Sequence, residues 1–224
     1  MTDFTAIKNS IDAVRADIPE GVRLVAATKT VSPEVINFAF RSGITEIGEN
    51  RVEELCAKYP YLELPEGAKI HFIGTLQRRK VRSIIDKVDM IQSVDHLSLA
   101  REIDIRSREI HKVTDILIEV NIGEEESKSG VHPDDALELY RSLYEMRGIR
   151  VRGVMAIPPK GRLTEYYDKL YKIYSDILKN AKSNDKIDII SIGMSADYRE
   201  AIALGSNMVR VGTAIFGERN KQII

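Results

Sequence analysis

The strongest constraint in this sequence is a rhythm. Short apolar runs of strand character recur eight times, and helical segments separate nearly all of them. The runs are Val22–Ala27, Ile44–Ile47, Lys69–Ile73, Met90–Val94, Thr114–Val120, Ile149–Ile157, Ile187–Ile192 and Asn207–Val211. The helices between them read as Pro33–Phe40, Arg51–Tyr59, Gln77–Val88, His96–Ile110, Pro133–Met146, Leu163–Ala181 and Ala196–Leu204. Such alternation predicts a parallel sheet. Eight units within 224 residues predict a single α/β barrel of the TIM (β/α)8 type, a fold that needs at least about 200 residues. An open doubly wound sheet is the alternative, since a count of strands does not show closure. Ahead of the first strand, Phe4, Ile7, Ile11, Val14 and Ile18 follow helical spacing until Pro19 and Gly21 stop them, which adds an N-terminal helix. No linker divides the chain, so residues 1–224 are expected to form one domain.

In such a barrel the strand C-termini open on one face, and the active site is built there. The residues at those ends are Lys29, Asn50, His71, Ser93 with Asp95, Asn121, Met155, Ser195 and Arg210. Most are polar, and their convergence says more than any one of them. The last two turns hold Gly193 with Ser195, and Gly212 with Thr213. Glycines there let backbone N–H groups converge on an anion, and the phosphate site of this fold follows strands seven and eight. The plain alternative is two βα turns whose glycines serve geometry alone.

Lys29 ends the first strand on the side of Val25 and Ala27. If that side is the barrel interior, desolvation lowers its pKa and exposes a nucleophilic amine; otherwise it is a solvent-facing loop lysine. Arg210 stands inside the apolar run Met208–Val211, where a charge is costly unless paired. A carboxylate such as Glu46 or Asp197 would satisfy it, as would the ring nitrogen of a bound cofactor. A lysine, a strand arginine and a phosphate cup together suit pyridoxal 5'-phosphate.

A net charge of −1 gives no electrostatic pull toward nucleic acid or membrane. The single cysteine, Cys56, excludes an intrachain disulfide and fits a reducing, cytoplasmic setting. The polar N-terminus does not read as a signal peptide, and no apolar run reaches the ~20 residues of a membrane span. The four histidines show no metal-ligand spacing, so no metal is expected. Arg78–Lys80 with Arg82 reads as a solvated basic face, and Lys128 as a charge on the polar loop Gly123–Gly130. The tyrosines at 166, 167, 171 and 174 read as helix packing.

The stretches VAATKT, GENRVEE, HFIGTLQRRK, QSVD, EVNIGEEESKSGV, GVMAIP, SIGMSADYREAI and VRVGTAIFGER run from Val25 to Arg219. Together they resemble the pyridoxal-phosphate-binding family often called YggS/PROSC, related in fold to the alanine racemase N-terminal barrel. The resemblance implies that Lys29 carries the cofactor as an internal aldimine and that Arg210 faces the pyridine nitrogen. It also implies that Ser195, Gly212 and Thr213 hold the phosphate with backbone near Met194, that Asn50 lies near the ring, and that His71 lies in the pocket floor. Ile70 and Arg79 depart from the family pattern, at positions away from the implied imine and phosphate contacts. The function implied is a non-catalytic carrier in pyridoxal phosphate homeostasis. Its expected partners are the cofactor and, transiently, apo forms of cofactor-dependent enzymes, and the expected state is a monomer. Two alternatives are a racemase or related enzyme, and an aldolase-like barrel in which Lys29 attacks a sugar phosphate. Related racemases use a tyrosine from an additional β domain, which this sequence is not expected to carry.

Overall fold

Eight parallel strands close on themselves in sequence order in the computed structural model, which describes residues 2–182 and 185–218. They are β1 (Arg23–Ala27), β2 (Glu46–Glu49), β3 (Lys69–Phe72), β4 (Met90–Val94), β5 (Thr114–Val120), β6 (Ile149–Ala156), β7 (Ile189–Met194) and β8 (Met208–Val211). Closure is carried by the parallel pairing of β8 with β1, which sets Val25 beside Arg210 and Ala26 beside Val211. The open-sheet alternative is thereby removed. Around the barrel run α1 (Phe4–Ala16), α2 (Pro33–Arg41), α3 (Val52–Lys58), α4 (Val81–Ile84), α5 (Leu97–Glu109), α6 (Ala136–Ser142), α7 (Leu163–Lys179), α8 (Tyr198–Leu204) and α9 (Thr213–Phe216).

Two strands lie two residues later than the hydrophobic pattern predicts, β2 and β7. For β2 the cause is a helix cap. Gly43 takes a φ of 95°, its N–H donates to the Phe40 carbonyl at 3.0 Å, and the Ile44 N–H donates to the Ala39 carbonyl at 3.0 Å. This is a Schellman ending with its apolar residue buried, so Ile44 belongs to the cap of α2. The expected helix Gln77–Val88 is shorter too, a 3-10 turn at Arg78–Lys80 followed by α4. Beyond α4 the Lys112 ammonium donates to the Ile85 carbonyl at 3.0 Å and to the Val88 carbonyl. It satisfies carbonyls that a longer helix would use itself.

Inside the barrel, Val25, Met90, Leu117, Met155, Ile189 and Met208 form an apolar plug. A larger apolar layer lies between strands and helices. Helix α1 packs against α2 and α9: the Phe4 and Phe38 rings sit 4.8 Å apart, and Ile11 and Val14 are buried. Asp17 at its C-terminus accepts from the Tyr198 hydroxyl at 2.6 Å and from Arg199 Nε at 2.9 Å. The N-terminal helix thus covers the region near the β8–β1 seam that the single turn of α9 leaves open.

Candidate functional site

Lys29 leaves the rim two residues past β1, and its sequence neighbours are tied down on both sides. The buried Thr28 donates through Oγ1 to Glu49 Oε1 at 2.7 Å. Thr30 turns with a φ of 62°, a left-handed conformation costly for a β-branched residue, and its amide donates to Glu54 Oε1. The buried Lys58 ammonium joins these groups: it lies 3.0 Å from Glu49 Oε1, 2.8 Å from Glu54 Oε1 and 2.8 Å from the Thr28 carbonyl. Burial pushes the Glu49 carboxyl above its ordinary range, against the pull of Lys58. The end of β2 and the helix α3 after it therefore clamp the residues after β1. Between the anchors Lys29 is half-buried and makes no ion pair among the described residues. Sequence reasoning missed this clamp, although GENRVEE already held its two glutamates.

Asn50 follows directly on Glu49 and is also half-buried. Gly74 lies against it so closely that a Cβ there would stand 2.1 Å from the Asn50 carbonyl oxygen. The HFIG glycine is thus a packing requirement that seats the loop after β3 on Asn50.

Strands β1, β8 and β7 are consecutive around the barrel, with neighbouring strands about 4.8 Å apart. The Lys29 segment, the Gly212-Thr213 turn and the Met194-Ser195 turn leave the rim side by side. Ser195 Oγ accepts the N–H of Gly212 at 3.0 Å and that of Ala214 at 3.2 Å. The Ala214 amide was not foreseen. Gly193 has a φ of 105°, and a Cβ there would come within 2.7 Å of the Ala201 Cβ, so α8 packs directly on the end of β7. The Met194 N–H donates to Asp197 Oδ1 at 2.7 Å; that amide is engaged within its own turn, while the Met194 side chain is exposed. Thr213 is exposed at the start of α9.

Arg210 is 4% exposed. Its guanidinium donates to Ser191 Oγ at 2.5 Å and to the Ala156 carbonyl at 2.9 Å. The expected carboxylate partners are not its partners. Asp197 is occupied by Met194, and Glu46 lies at the start of β2, 2.8 Å from Arg23 Nη2. Burial pulls the Arg210 pKa down to about 10, opposed by Glu119 and Asp197, so it remains protonated at neutral pH.

From Arg210 a file of buried polar groups runs down the barrel axis. Ser191 Oγ donates to Gln92 Oε1 at 2.8 Å, and Gln92 Nε2 lies 2.9 Å from His71 Nδ1. Burial lowers the His71 pKa against the pull of Glu46, so the ring is neutral at pH 7. A neutral ring accepting at Nδ1 carries its proton on Nε2. That nitrogen is 3.0 Å from Glu46 Oε2, with its N–H poorly aligned to the carboxylate. Burial alone would raise Glu46, but contacts with His71 and Arg23 override it and hold the pKa at about 2. His71, expected in the pocket floor, is fully buried and reaches Arg210 only through Gln92 and Ser191. Those two were missed, although each is a polar residue inside an apolar strand.

A hollow of about 360 Å³ lies at the opposite end of the barrel among Arg15, Pro19, Arg23 and Glu46. At the rim, a cavity of about 240 Å³ opens between the end of β5 and the loop after it, lined by Glu119, Asn121, Lys128, Ser129, Thr75 and Ile157 among others. The loop is held across the mouth by the Thr75 and Ser129 hydroxyls, 2.8 Å apart, and by the Gly130 N–H on Asp95 Oδ2 at 3.3 Å. Of the basic cluster, Lys80 pairs with Glu53 at 2.5 Å.

The family model for the alanine racemase N-terminal domain matches residues 2–220. The pyridoxal phosphate homeostasis protein of Aquifex aeolicus is 40% identical over 201 residues, 88% of this chain and 87% of that protein. The chain belongs to the pyridoxal phosphate homeostasis protein family. The Escherichia coli K12 member of that family is 35% identical over 206 residues, 90% of this chain and 88% of its own. Among solved structures, PipY of Synechococcus elongatus with pyridoxal phosphate bound superposes with a TM-score of 0.86 at 29% identity, over 94% of this chain and 100% of that one. Alanine racemase from Corynebacterium glutamicum shares the fold, with a TM-score of 0.78 at 14% identity, over 99% of this chain and 64% of that one. The family motif VRVGTAIFGER ends at Arg219, outside the described residues.

Proposed function

We propose that this chain binds pyridoxal 5'-phosphate on Lys29 and acts as a reversible carrier in cofactor homeostasis, without a reaction of its own. The observation that carries this reading is one rim bearing three groups: a clamped, half-buried amine, a buried guanidinium and a turn whose Gly212 and Ala214 N–H groups converge on Ser195 Oγ. They match the aldehyde, the ring nitrogen and the phosphate of that cofactor. When bound, the cofactor supplies an aldehyde that forms a C=N bond reversibly with a primary amine, with loss of water.

Thr28 and Thr30 fix the direction in which Lys29 presents its amine. Ser195, Gly212 and Thr213, with the Ala214 amide, hold the phosphate; the Met194 turn supports the cup through Asp197. Arg210 would donate a hydrogen bond to the ring nitrogen and, because its own pKa stays far above that of a pyridine, would keep its proton and leave the nitrogen neutral. Asn50 borders the ring, and His71 steadies Arg210 from below. The names of the curated relatives favour carriage over racemisation. So does the placement of the nine tyrosines: none directly follows a strand C-terminus, and Tyr198, which opens α8, points its hydroxyl at Asp17. The carrier is proposed to be a monomer.

The test is an absorbance titration with pyridoxal phosphate. The chain should develop a saturable yellow imine band that Lys29→Ala loses while keeping its folded circular dichroism. Amino-acid racemisation should stay at background. Robust turnover would favour the racemase reading, and no band would end the cofactor reading.

A further inference from the structure

A tight turn carries Lys29. The Val31 N–H donates to the Thr28 carbonyl at 2.9 Å, so Lys29 and Thr30 are the two central residues of a four-residue turn. The φ of Thr30 is 62°, whereas that of Lys29 is negative. That sign pattern belongs to the type II turn, whose third position favours glycine or asparagine. Threonine is β-branched and resists the left-handed conformation, so groups outside the turn must hold it there.

The holder is helix α3. Glu54 and Lys58 stand four residues apart on it and share one face. The buried Lys58 ammonium spends its three donors on Glu54 Oε1 at 2.8 Å, Glu49 Oε1 at 3.0 Å and the Thr28 carbonyl at 2.8 Å. Glu54 Oε1, fixed in this way, also accepts the Thr30 amide. The Thr30 hydroxyl in turn donates to the Lys29 carbonyl at 2.7 Å. Both sides of the lysine's turn are thus tied to one buried cation, directly at Thr28 and through Glu54 at Thr30.

We infer that Glu54 and Lys58 are positioning residues for Lys29: they hold its turn in a strained form that presents the amine to the cofactor. This rests on the carrier reading and deepens it, by naming the groups outside the rim on which loading depends. Unheld, a threonine in the left-handed region is populated roughly one time in ten. A binding-competent state of that population weakens apparent affinity by about the same factor.

Two substitutions separate contact from charge. Glu54→Asp keeps the charge and shortens the reach by one methylene, and Glu54→Gln keeps the reach and removes the charge. In cofactor-free, full-length protein, hydrogen exchange at the Thr30 amide should quicken about tenfold in Glu54→Asp and stay near wild type in Glu54→Gln. In the absorbance titration with pyridoxal 5'-phosphate, Glu54→Asp should bind about tenfold more weakly, and Glu54→Gln within about threefold of wild type. Tyr140→Phe is the control for general destabilisation. It removes the hydroxyl contact between α6 and Asp185, so thermal stability should fall while cofactor affinity stays unchanged. A Glu54→Asp variant that binds as tightly as wild type overturns the proposal, as does a Glu54→Gln variant as weak as Glu54→Asp. In both cases the carrier reading stands. A wild type that develops no band removes the carrier reading, and the positioning role with it.

Discussion

The polar file beneath Arg210 ends in a carboxylate whose contribution to stability follows from the structure. Glu46 drops from its ordinary 4.5 to about 2, because contacts with His71 and Arg23 outweigh its burial. At about 1.4 kcal/mol per tenfold change, this corresponds to about 3 kcal/mol in favour of the folded state at pH 7. A carboxyl depressed on folding contributes fully above its unfolded value of 4.5 and loses that contribution as pH falls toward 2. At pH 3 roughly 1.4 kcal/mol should remain. Glu46→Gln removes the charge at nearly constant volume. Urea unfolding at pH 7 should show the variant about 3 kcal/mol less stable, and at pH 3 the gap should narrow by about 2 kcal/mol. Carboxylates remote from Glu46 titrate alike in both proteins and cancel in the difference, whereas His71, whose pKa Glu46 raises, is followed by its own NMR titration in each protein. A gap below about 1 kcal/mol at pH 7, or one that stays constant from pH 7 to pH 3, refutes the assignment of Glu46 as the charged anchor.

Two further substitutions probe the groups above it. Ser191→Ala leaves Arg210 Nη1 and Gln92 Oε1 each short of a partner in the barrel core, at about 1–3 kcal/mol per group. Thermal unfolding should fall by roughly 4–24 °C, with Ser191→Thr recovering most of it; a fall under about 2 °C contradicts the hold on Arg210. Gly74→Ala drives a methyl onto the Asn50 carbonyl, so the loop must shift at a cost of about 1–3 kcal/mol. Cofactor affinity in the absorbance titration should weaken about tenfold with it, and an unchanged affinity would detach Asn50 from the site.

The barrel was legible because its signal is repetition, and an error in one element leaves the count intact. The alternation also put Lys29, Ser195 and Gly212 at strand ends, where closure of β8 onto β1 makes them neighbours. The boundaries were less legible where one apolar residue serves two purposes, as Ile44 does in closing the cap of α2. Partners were the least legible. Arg210 invites a carboxylate by charge, yet it is satisfied by a hydroxyl and a carbonyl, while Glu46 is taken by Arg23 and Asp197 Oδ1 by the Met194 amide. The Glu49–Lys58–Glu54 clamp joins the end of β2 and helix α3 to the residues after β1 and has no periodic signature. Gln92, Ser191 and Glu119 were visible only as polar residues in apolar strands, and which of them faces the interior depends on the register of the closed sheet.

The central claim is that one amine on this rim holds the cofactor. Borohydride reduction of the cofactor-loaded protein, followed by proteolysis and mass spectrometry, reads that amine directly. The account predicts a stable pyridoxyl adduct on the peptide containing Lys29 and none on those containing Lys58 or Lys128. An adduct scattered over several lysines, or a Lys29 peptide recovered unmodified from fully loaded protein, would contradict it.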